Sequence, residues 1–449
     1  MNKRPLLLFS IVISLCSCSN INNNESNDVS NSYEEMQEIS GSWKSFLATK
    51  DNIKNIYNKS VTPFNTVMQM NYFLEDSNKD NNDKLFEDVT TLYDNEVGRL
   101  HKLFDRHNKY YANENKDLLV NIKVINDSFG TGQAVKCDND LYNLLKHGIE
   151  CYKITNGQFN MFTGGLTNYW DSIFNDFYGY HYIEEIDPYF VPSQKEKLEK
   201  LLDAIPSNLD EINAQLSFDD ENKTVTFNKC DFNNDSKPII SVGGIAKGFA
   251  TDIIKQKLID NNYLNAYLIS GGSSLSSVSK PIYSLEQGGQ KLSVINPEKS
   301  NIVEKKIAFT IKIKDRFNFS TSGNYTAEKW YRFMDENNNL VYRHHIINPF
   351  TGYPESYHRS VSIYTTYFSN AYVDAFTTAF MNLSIEDGLL LRKEILNKYP
   401  EADLELLYLT QEGYESKEEN KTATYTVHAT SNFNNTLTLQ EGVNIVYEK

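Results

Sequence analysis

Apolar positions along the chain recur in short helical and strand-like patterns that follow no strict order. Residues 97–104 carry apolar side chains at helical spacing, and a second helical stripe over 141–152 is preceded by Asp138, a residue type that caps helices. Residues 264–270 have the composition of a buried strand, and residues 309–313 and 361–365 alternate as strands do. Because helices and strands mix without a regular βαβ alternation, the pattern predicts an α+β fold.

Two further helices are predicted beside residues with chemistry. One runs over about 244–261, and the other begins after Ser369, a good capping residue, and runs through Asn382. A first strand is expected over 66–73, followed by a polar loop over 77–83.

The first residues have the features of an export signal. Lys3 and Arg4 precede an apolar run over 6–15, which is too short to span a bilayer. The run leads into LCSC at 15–18, which resembles the bacterial lipobox, so we expect cleavage before Cys18 and lipidation of that residue. An ordinary secretory signal with two incidental cysteines is the alternative. Lipid chains on Cys18 would hold the protein on the extracytoplasmic face of a membrane.

The predicted division of the chain is a signal peptide over 1–17, a flexible tether over 18–55 and one domain over 56–449. Ser, Asn and Glu dominate the segment after the signal, which is typical of a tether. The 29 Tyr and 25 Phe residues supply an aromatic-rich core, and the formal net charge of −15 argues against general binding to nucleic acid. The remaining cysteines fit neither a disulfide framework nor a zinc site and are expected as buried free thiols: Cys137, Cys151 and Cys230.

The densest chemical signal is the segment 241–248, SVGGIAKG, in which a glycine pair stands where a helix begins. Open backbone N–H groups and the positive end of a helix suit a phosphate, and Lys247 adds a cation one turn in. The segment lacks the GxxxxGK[ST] pattern of a P-loop. The alternative is a helix start packed tightly on a strand, with Lys247 in solvent.

A second signal is the pair Asp374 and Thr378, four residues apart on a predicted helix with mostly apolar neighbours. A carboxylate in such company needs a partner, and Mg²⁺ accepts one or two carboxylates, a hydroxyl or carbonyl, and substrate phosphates. The alternative is an Asp that binds loop backbone and a Thr that binds its own i−4 carbonyl.

A third signal is the loop 343–354, RHHIINPFTGYP, in which turn-forming Asn-Pro and Thr-Gly pairs follow two histidines. A histidine there is suited to proton transfer or to phosphate binding, and a surface pair without function is the alternative.

Together these segments resemble the ApbE-like family, the FAD:protein FMN transferases, in the family's order over about residues 60–415. Each motif is weak alone, but six in order are specific. The matching stretches are NGQFNMFTGGLTNYW at 156–170, SVGGIAKGFATD at 241–252, ISGGS at 269–273, TSGNY at 321–325, HHIINPFTGYP at 344–354 and VDAFTTAF at 373–380.

The resemblance implies a Mg²⁺-dependent enzyme that transfers FMN from FAD to a Thr or Ser hydroxyl of an acceptor protein and releases AMP. It places the metal ligands at Asp374, Thr378 and the backbone carbonyl of Gly244. Lys247 and His345 are the implied catalytic residues. The implied FAD-binding residues are Gln158, Phe159, Asn160, Ser241, Lys247, Gly271, Gly272, Ser322, His345 and Ile346.

Some positions depart from the family's pattern, because they lack an acidic, aromatic or sulfur-containing side chain that is usual there. These positions are Ser241, Asn160, Ser273, Asn324, His107 and Phe64. The metal pair, Lys247 and His345 are retained, which favours an active but divergent enzyme. Since the chain contains no D-x-x-[ST]-G-A-[ST] acceptor motif, the target is expected to be another protein. Two other classes stay open: a lipoprotein that binds or hydrolyses FAD without modifying a protein, and a non-enzymatic solute-binding lipoprotein.

Overall fold

The structure is a computed structural model of the 449-residue chain. It describes residues 64–448 and three short strands before residue 48; within 64–448 it leaves out residues 65, 67, 73, 76–78, 114–115, 177–181, 234–235, 280–288, 297–305, 325–329, 414–421 and 432. The strands are β1 Ile11–Ile13, β2 Glu34–Ile39, β3 Trp43–Leu47, β4 Met68–Tyr72, β5 Leu74–Glu75, β6 Tyr110–Tyr111, β7 Leu118–Leu119, β8 Val135–Lys136, β9 Tyr182–Ile186, β10 Leu216–Asp219, β11 Thr224–Phe227, β12 Ala266–Ser270, β13 Ser274–Ser277, β14 Gln290–Ile295, β15 Ile307–Ile313, β16 Asn318–Gly323, β17 Trp330–Met334, β18 Leu340–His344, β19 Ser360–Thr365, β20 Glu405–Glu412, β21 Thr424–Ala429, β22 Thr438–Leu439 and β23 Val443–Tyr447. The α-helices are α1 Lys79–Phe104, α2 Ile122–Asp127, α3 Asn139–Ile154, α4 Gly164–Asp176, α5 Pro192–Asp203, α6 Leu209–Gln215, α7 Ala246–Asp260, α8 Asn370–Met381 and α9 Ile385–Lys398.

An eight-stranded sheet in the order β23-β21-β20-β19-β16-β13-β12-β4 forms the centre of the fold. Its neighbours are antiparallel except for β21 and β23, which run parallel. Strand β12 is buried along its whole length, which requires cover on both faces of the sheet.

Alternation along β12 shows what covers each face. Ala266 and Leu268 pack into the cluster that contains Ala250, Ile254 and Leu258 of α7. The intervening residues of β12 point the other way, since side chains alternate along a strand. They pack against apolar residues of a second sheet built on β14 and β15: Tyr267, Ile269, Leu292, Val294, Phe309 and Ile311.

Helix α8 packs on the same face as α7. Val373, Phe376 and Phe380 share an apolar cluster with Val361 of β19 and Leu406 of β20. The chain therefore folds as a central sheet with helices on one face and a second sheet on the other, which confirms the α+β prediction.

Most of the predicted elements are present with small shifts of their ends. Helix α3 follows Asp138, whose side chain accepts from the backbone N–H of Asp140, as the sequence predicts. The loop expected over 77–83 is wrong, because α1 begins at Lys79. Cys137 and Cys151 are buried free thiols, whereas Cys230 is only partly buried.

The division at residues 17 and 55 stays a prediction. Strands β1, β2 and β3 fall in the range predicted for the signal and tether, and Cys18 lies outside the described residues. In the part of the chain that the structure describes, no helix combines the length and apolar character needed to span a bilayer.

Candidate active site

The N-terminus of α7 lies against the side of α8. Its N-cap residue is Ile245, whose side chain has no hydrogen-bonding atom to close the first turn. The N–H of Gly248 donates instead to Oδ2 of Asp374, at 3.1 Å. A Cβ on Gly248 would overlap the backbone of Asn370, so only glycine permits this close approach.

The N-terminus of α8 is capped in turn by a residue of α7. Ser369 occupies the predicted N-cap position, but its side chain makes no capping bond to the helix. The carboxylate of Asp252 accepts from the N–H groups of Asn370, at 3.0 Å, and Ala371, at 2.8 Å. Burial raises the pKa of Asp252, while these hydrogen bonds act in the opposite direction. Each helix therefore supplies a carboxylate that binds the N-terminal backbone of the other.

Asp374 is surrounded by hydrogen-bond donors. Its side chain is 4% exposed, and Oδ1 faces the hydroxyls of Ser274, at 3.3 Å, and Ser320, at 3.4 Å. Oδ2 accepts the Gly248 N–H and lies 3.5 Å from Nζ of Lys247. Two buried strands, one helix end and a cation thus fix the orientation of one carboxylate.

Lys247 crosses the glycine-rich turn that the sequence singled out. Its Nζ donates to the carbonyl of Gly243 at 3.3 Å, and its side chain is 22% exposed, so it is not free in solvent. Gly271 and Gly272 form the β12–β13 turn with φ of +67° and +60°. A Cβ on Gly271 would lie 3.0 Å from Cδ of Lys247, so the bare turn accommodates the lysine stem.

Thr378 and Gly244 meet beside this carboxylate. A Cβ on Gly244 would lie 3.0 Å from Oγ1 of Thr378 and 3.0 Å from the ring of Phe159. Thr378 Oγ1 also donates to the carbonyl of Asp374 at 3.2 Å, the local bond weighed as an alternative from the sequence. That bond uses the hydroxyl proton and leaves oxygen lone pairs for a ligand.

The donor chemistry fits Mg²⁺. A carboxylate, a hydroxyl and a backbone carbonyl are all hard oxygen ligands, and Mg²⁺ uses one or two carboxylates with water and substrate phosphate completing its shell. Within the described residues no group of three or more His, Cys, Asp and Glu side chains is placed to hold a metal. Asp374, Thr378 and Gly244, selected from the sequence, are brought together by the fold.

The segment 158–160 lies on the other side of Gly244. Phe159 is 3% exposed and its N–H donates to Thr155 Oγ1 at 3.0 Å. Asn160 donates to the carbonyl of Pro206 and accepts from the N–H of Phe162, so both of its polar atoms are engaged by the protein. Gln158 Oε1, by contrast, is buried without a hydrogen-bond partner among the described atoms.

Ser241 and Ser322 connect the site to its supports. The N–H of Ser241 donates to the carbonyl of Met161 at 2.7 Å, which ties the glycine turn to the 158–162 segment. The hydroxyl of Ser322, on β16, donates to Oγ1 of Thr377 at 2.9 Å and so faces α8.

The loop with the two histidines docks at the C-terminal end of α8. Burial lowers the pKa of His344 to about 3, its Nδ1 accepts from the N–H of Ile346, and its Nε2 lies 2.7 Å from the carbonyl of Glu355. His344 is therefore a neutral structural residue, whereas His345 is only partly buried. The carbonyl of Ile347 accepts from Asn382, two turns beyond Asp374, so this part of the loop is tied to the C-terminal end of α8.

Sequence reasoning missed the residues that hold Asp374 in place. Asp252 caps the first turn of α8, and Ser274 and Ser320 contact Asp374. All three contacts join residues more than 50 positions apart in the chain. The signal that could have found the two serines is the high serine content of β13 and β16, which are otherwise buried strands. No local pattern identifies Asp252, because its partners are backbone groups of a distant helix.

Comparison with known proteins places these residues in a family. The sequence profile of the ApbE family matches residues 65–400. A comparison with curated protein sequences gave no significant match.

Several solved structures share the fold. The ApbE protein of Thermotoga maritima MSB8 aligns with a TM-score of 0.51 and 21% identity, covering 77% of this chain and 92% of that one. The flavin transferase ApbE of Vibrio cholerae aligns with a TM-score of 0.54 and 15% identity, covering 83% and 96%. The apo form of the Pseudomonas stutzeri flavinyl transferase ApbE gives a TM-score of 0.52 and 16% identity, covering 82% and 92%. The profile match spans most of the chain and contains the glycine turn, the histidine loop and the Asp374 helix; this chain belongs to the ApbE family.

Proposed function

We propose that this chain is an FAD:protein FMN transferase. It takes FMN from FAD, joins it to a Thr or Ser hydroxyl of an acceptor protein, and releases AMP. The observation that carries the proposal is the Asp374 carboxylate, which faces Lys247 and the N-terminus of α7 while Thr378 and Gly244 stand beside it. Family membership and the two flavin transferases of the same fold support the same chemistry.

The reaction is a phosphoryl transfer. The acceptor hydroxyl oxygen bonds to the phosphorus nearer riboflavin, and the bond from that phosphorus to the oxygen bridging to AMP breaks. The hydroxyl proton passes to a base, and AMP leaves with the bridging oxygen. Catalysis of such a step depends mainly on positioning and on neutralising phosphate charge.

The residues beside Gly244 would hold the metal. Asp374, Thr378 and the Gly244 carbonyl are the proposed Mg²⁺ ligands, and the ion would neutralise charge on the diphosphate when bound. Lys247 places a second cation at the same edge and binds a phosphate oxygen as a fixed charge. Because its amine lies 3.5 Å from Asp374, the lysine and a metal ion held by that carboxylate would face the same diphosphate.

His345 is proposed to act on the acceptor side. It is only partly buried and stands on the loop that docks at the C-terminal end of α8. A neutral imidazole there accepts the proton of the attacking hydroxyl or steadies the developing charge. Gln158, with its buried and unpaired Oε1, is proposed to accept a hydrogen bond from FAD.

Release of AMP separates transfer from simple hydrolysis. The chain is incubated with FAD and Mg²⁺, with and without candidate extracytoplasmic proteins, and with EDTA as the metal control. The proposal expects AMP only when both Mg²⁺ and an acceptor are present. AMP released equally without any acceptor indicates an FAD hydrolase. No release of AMP from FAD, with or without Mg²⁺, indicates a solute-binding protein.

Membrane attachment through Cys18 is a separate part of the proposal. It is supported by the lipobox-like LCSC at 15–18 after a short apolar run. In the native host, Cys18→Ser should move the protein out of the membrane fraction, because the acyl chains are its anchor. A wild-type protein whose N-terminal peptide carries no lipid by mass spectrometry contradicts this assignment.

A further inference from the structure

A buried lysine lies on the face of α7 that is turned toward the sheet. Lys255 is 9% exposed, although lysine is rarely buried without a partner. Its Nζ donates to Ser276 Oγ at 2.9 Å and to Asn318 Oδ1 at 3.3 Å, which are both neutral acceptors. Burial lowers the pKa of Lys255 to about 8, so retaining an amine here works against folding. Such a group calls for a role beyond packing.

Asn318 connects this amine to the first turn of α8. Its Oδ1 accepts from Lys255, from Ser276 Oγ at 2.7 Å and from Nδ2 of Asn370 at 3.1 Å. Its Nδ2 donates to the carbonyl of Phe368 at 2.7 Å, just before the helix. One amide side chain therefore ties the lysine, the central sheet and the start of α8 together.

Asp252 binds the same turn of α8 from the same helix as Lys255. It lies one turn before Lys255 on α7 and accepts the backbone N–H groups of Asn370 and Ala371. Attraction between Asp252 and Lys255 raises the lysine pKa, and the nearby Arg316 lowers it. Asp252 binds backbone N–H groups of this turn, and the Lys255–Asn318 pair binds the side chain of Asn370 within it. Together these contacts fix the position of the N-terminus of α8.

Asp374 lies one turn further along α8. A helix transmits a displacement of its first turn to the next with little loss, because its backbone hydrogen bonds are continuous. Mg²⁺ demands near-ideal octahedral geometry, so small shifts of a ligand carboxylate weaken its binding. We infer that Lys255 is a positioning residue, which acts through Asn318 and Asn370 to place Asp374 for a divalent cation. The inference rests on the proposed function, since it assigns Asp374 to a metal.

The test compares two lysines of one helix. Lys255→Met removes the buried amine but keeps an unbranched side chain of similar length. Lys257→Met is the matched control, because the side chain of Lys257 is 41% exposed and its Nζ lies 2.8 Å from Oε1 of Glu96, away from Asn318 and Asn370. Binding of Mn²⁺ alone to the full chain, without FAD or acceptor, is measured by isothermal titration calorimetry. It is also followed by the decrease of the electron paramagnetic resonance signal of free Mn²⁺. Mn²⁺ is a suitable probe because it prefers the same oxygen ligands as Mg²⁺.

Lys255→Met should weaken Mn²⁺ binding by about 10- to 100-fold, the range for residues that orient a metal ligand. Lys257→Met should bind Mn²⁺ as the wild type does, and FAD affinity in EDTA should be the same for all three proteins. Wild-type Mn²⁺ affinity in a folded Lys255→Met protein overturns the inference.

If circular dichroism shows that Lys255→Met does not fold, Ser276→Ala takes its place. That variant removes one of the two lysine acceptors and should weaken Mn²⁺ binding in the same direction by a smaller factor; an unchanged affinity overturns the inference. A wild-type chain that binds Mn²⁺ but transfers no FMN contradicts the proposed function alone. A wild-type chain that binds no Mn²⁺ but transfers FMN overturns the inference alone.

Discussion

Replacement of Asp374 by alanine separates the structural role of this carboxylate from its proposed role as a metal ligand. In the structure it accepts from the N–H of Gly248 and two serine hydroxyls, and it faces Lys247. Loss of the carboxylate leaves a buried N–H without its acceptor, which costs about 1–3 kcal/mol of stability. Loss of a metal ligand at the reacting phosphate costs about 4 kcal/mol in the transition state, on the order of a thousandfold in rate.

The assay measures both quantities on one set of proteins. FMN transfer is followed in single turnover at saturating FAD over a titration of Mg²⁺, and the free energy of unfolding is measured in urea. Asp138→Ala is the control for capping, because Asp138 caps the N-terminus of α3. Gln158 follows the other end of that helix, so the control lies away from the proposed FAD site. The control should lose about 0.5–2 kcal/mol of stability without any loss of rate.

A metal-binding role for Asp374 is refuted if Asp374→Ala loses stability as the control does and keeps its rate of FMN transfer. Turnover within about tenfold of wild type, less than 1.4 kcal/mol of transition-state free energy, would mean that Asp374 is only a helix cap. The thousandfold loss must also persist at a Mg²⁺ concentration that saturates the wild type.

Three further predictions concern charge and pH. Lys247→Ala should weaken FAD binding and slow transfer together, because a fixed charge serves both bound FAD and the transition state; equilibrium FAD binding and single-turnover rates check this, and a rate loss with unchanged affinity would contradict it. His345→Ala should mainly lower the rate at saturating FAD by about 10²- to 10⁴-fold, as expected for a general base, and a wild-type rate would make His345 a structural loop residue. Burial lowers the pKa of His358 to about 4, from about 6.5 in the unfolded chain, so the unfolded state binds the extra proton as the pH falls. The contribution of His358 to the free energy of unfolding, measured in urea, should therefore be constant above about pH 7 and fall by about 3 kcal/mol between about pH 6.5 and 4. His358→Gln should reduce the fall measured over that range, and an unaltered slope would contradict this prediction.

Helices with an apolar stripe along one face were predicted from the local sequence, and helical turns without such a stripe were missed. Helix α3 and its Asp138 cap are in the expected place because both signals lie within a few residues. The first turns of α1, from Lys79, contain almost only polar residues, so no apolar period distinguishes them from a loop. Ser369 is at the N-cap position as predicted, but Asp252 performs the capping from a separate helix.

The candidate site divides in the same way. Asp374 and Thr378 share one helix face, which periodicity alone predicts, and Lys247 is adjacent to its glycine pair. The contact of Asp374 with Gly248 joins residues 126 positions apart, and its contact with Ser274 joins residues 100 apart. Nothing local encodes such pairs, so the orientation of the carboxylate could only be read from the folded chain.

The central claim is that this protein forms a covalent bond between FMN and an acceptor. The most direct measurement is intact-mass and peptide-mapping mass spectrometry of candidate extracytoplasmic proteins after incubation with the chain, FAD and Mg²⁺. We expect an FMN adduct on one Thr or Ser of an acceptor with the wild-type chain, and none in EDTA or with Asp374→Ala. An acceptor known to be flavinylated by a homologous enzyme, left unmodified while the wild-type chain binds FAD and Mg²⁺, would contradict the account.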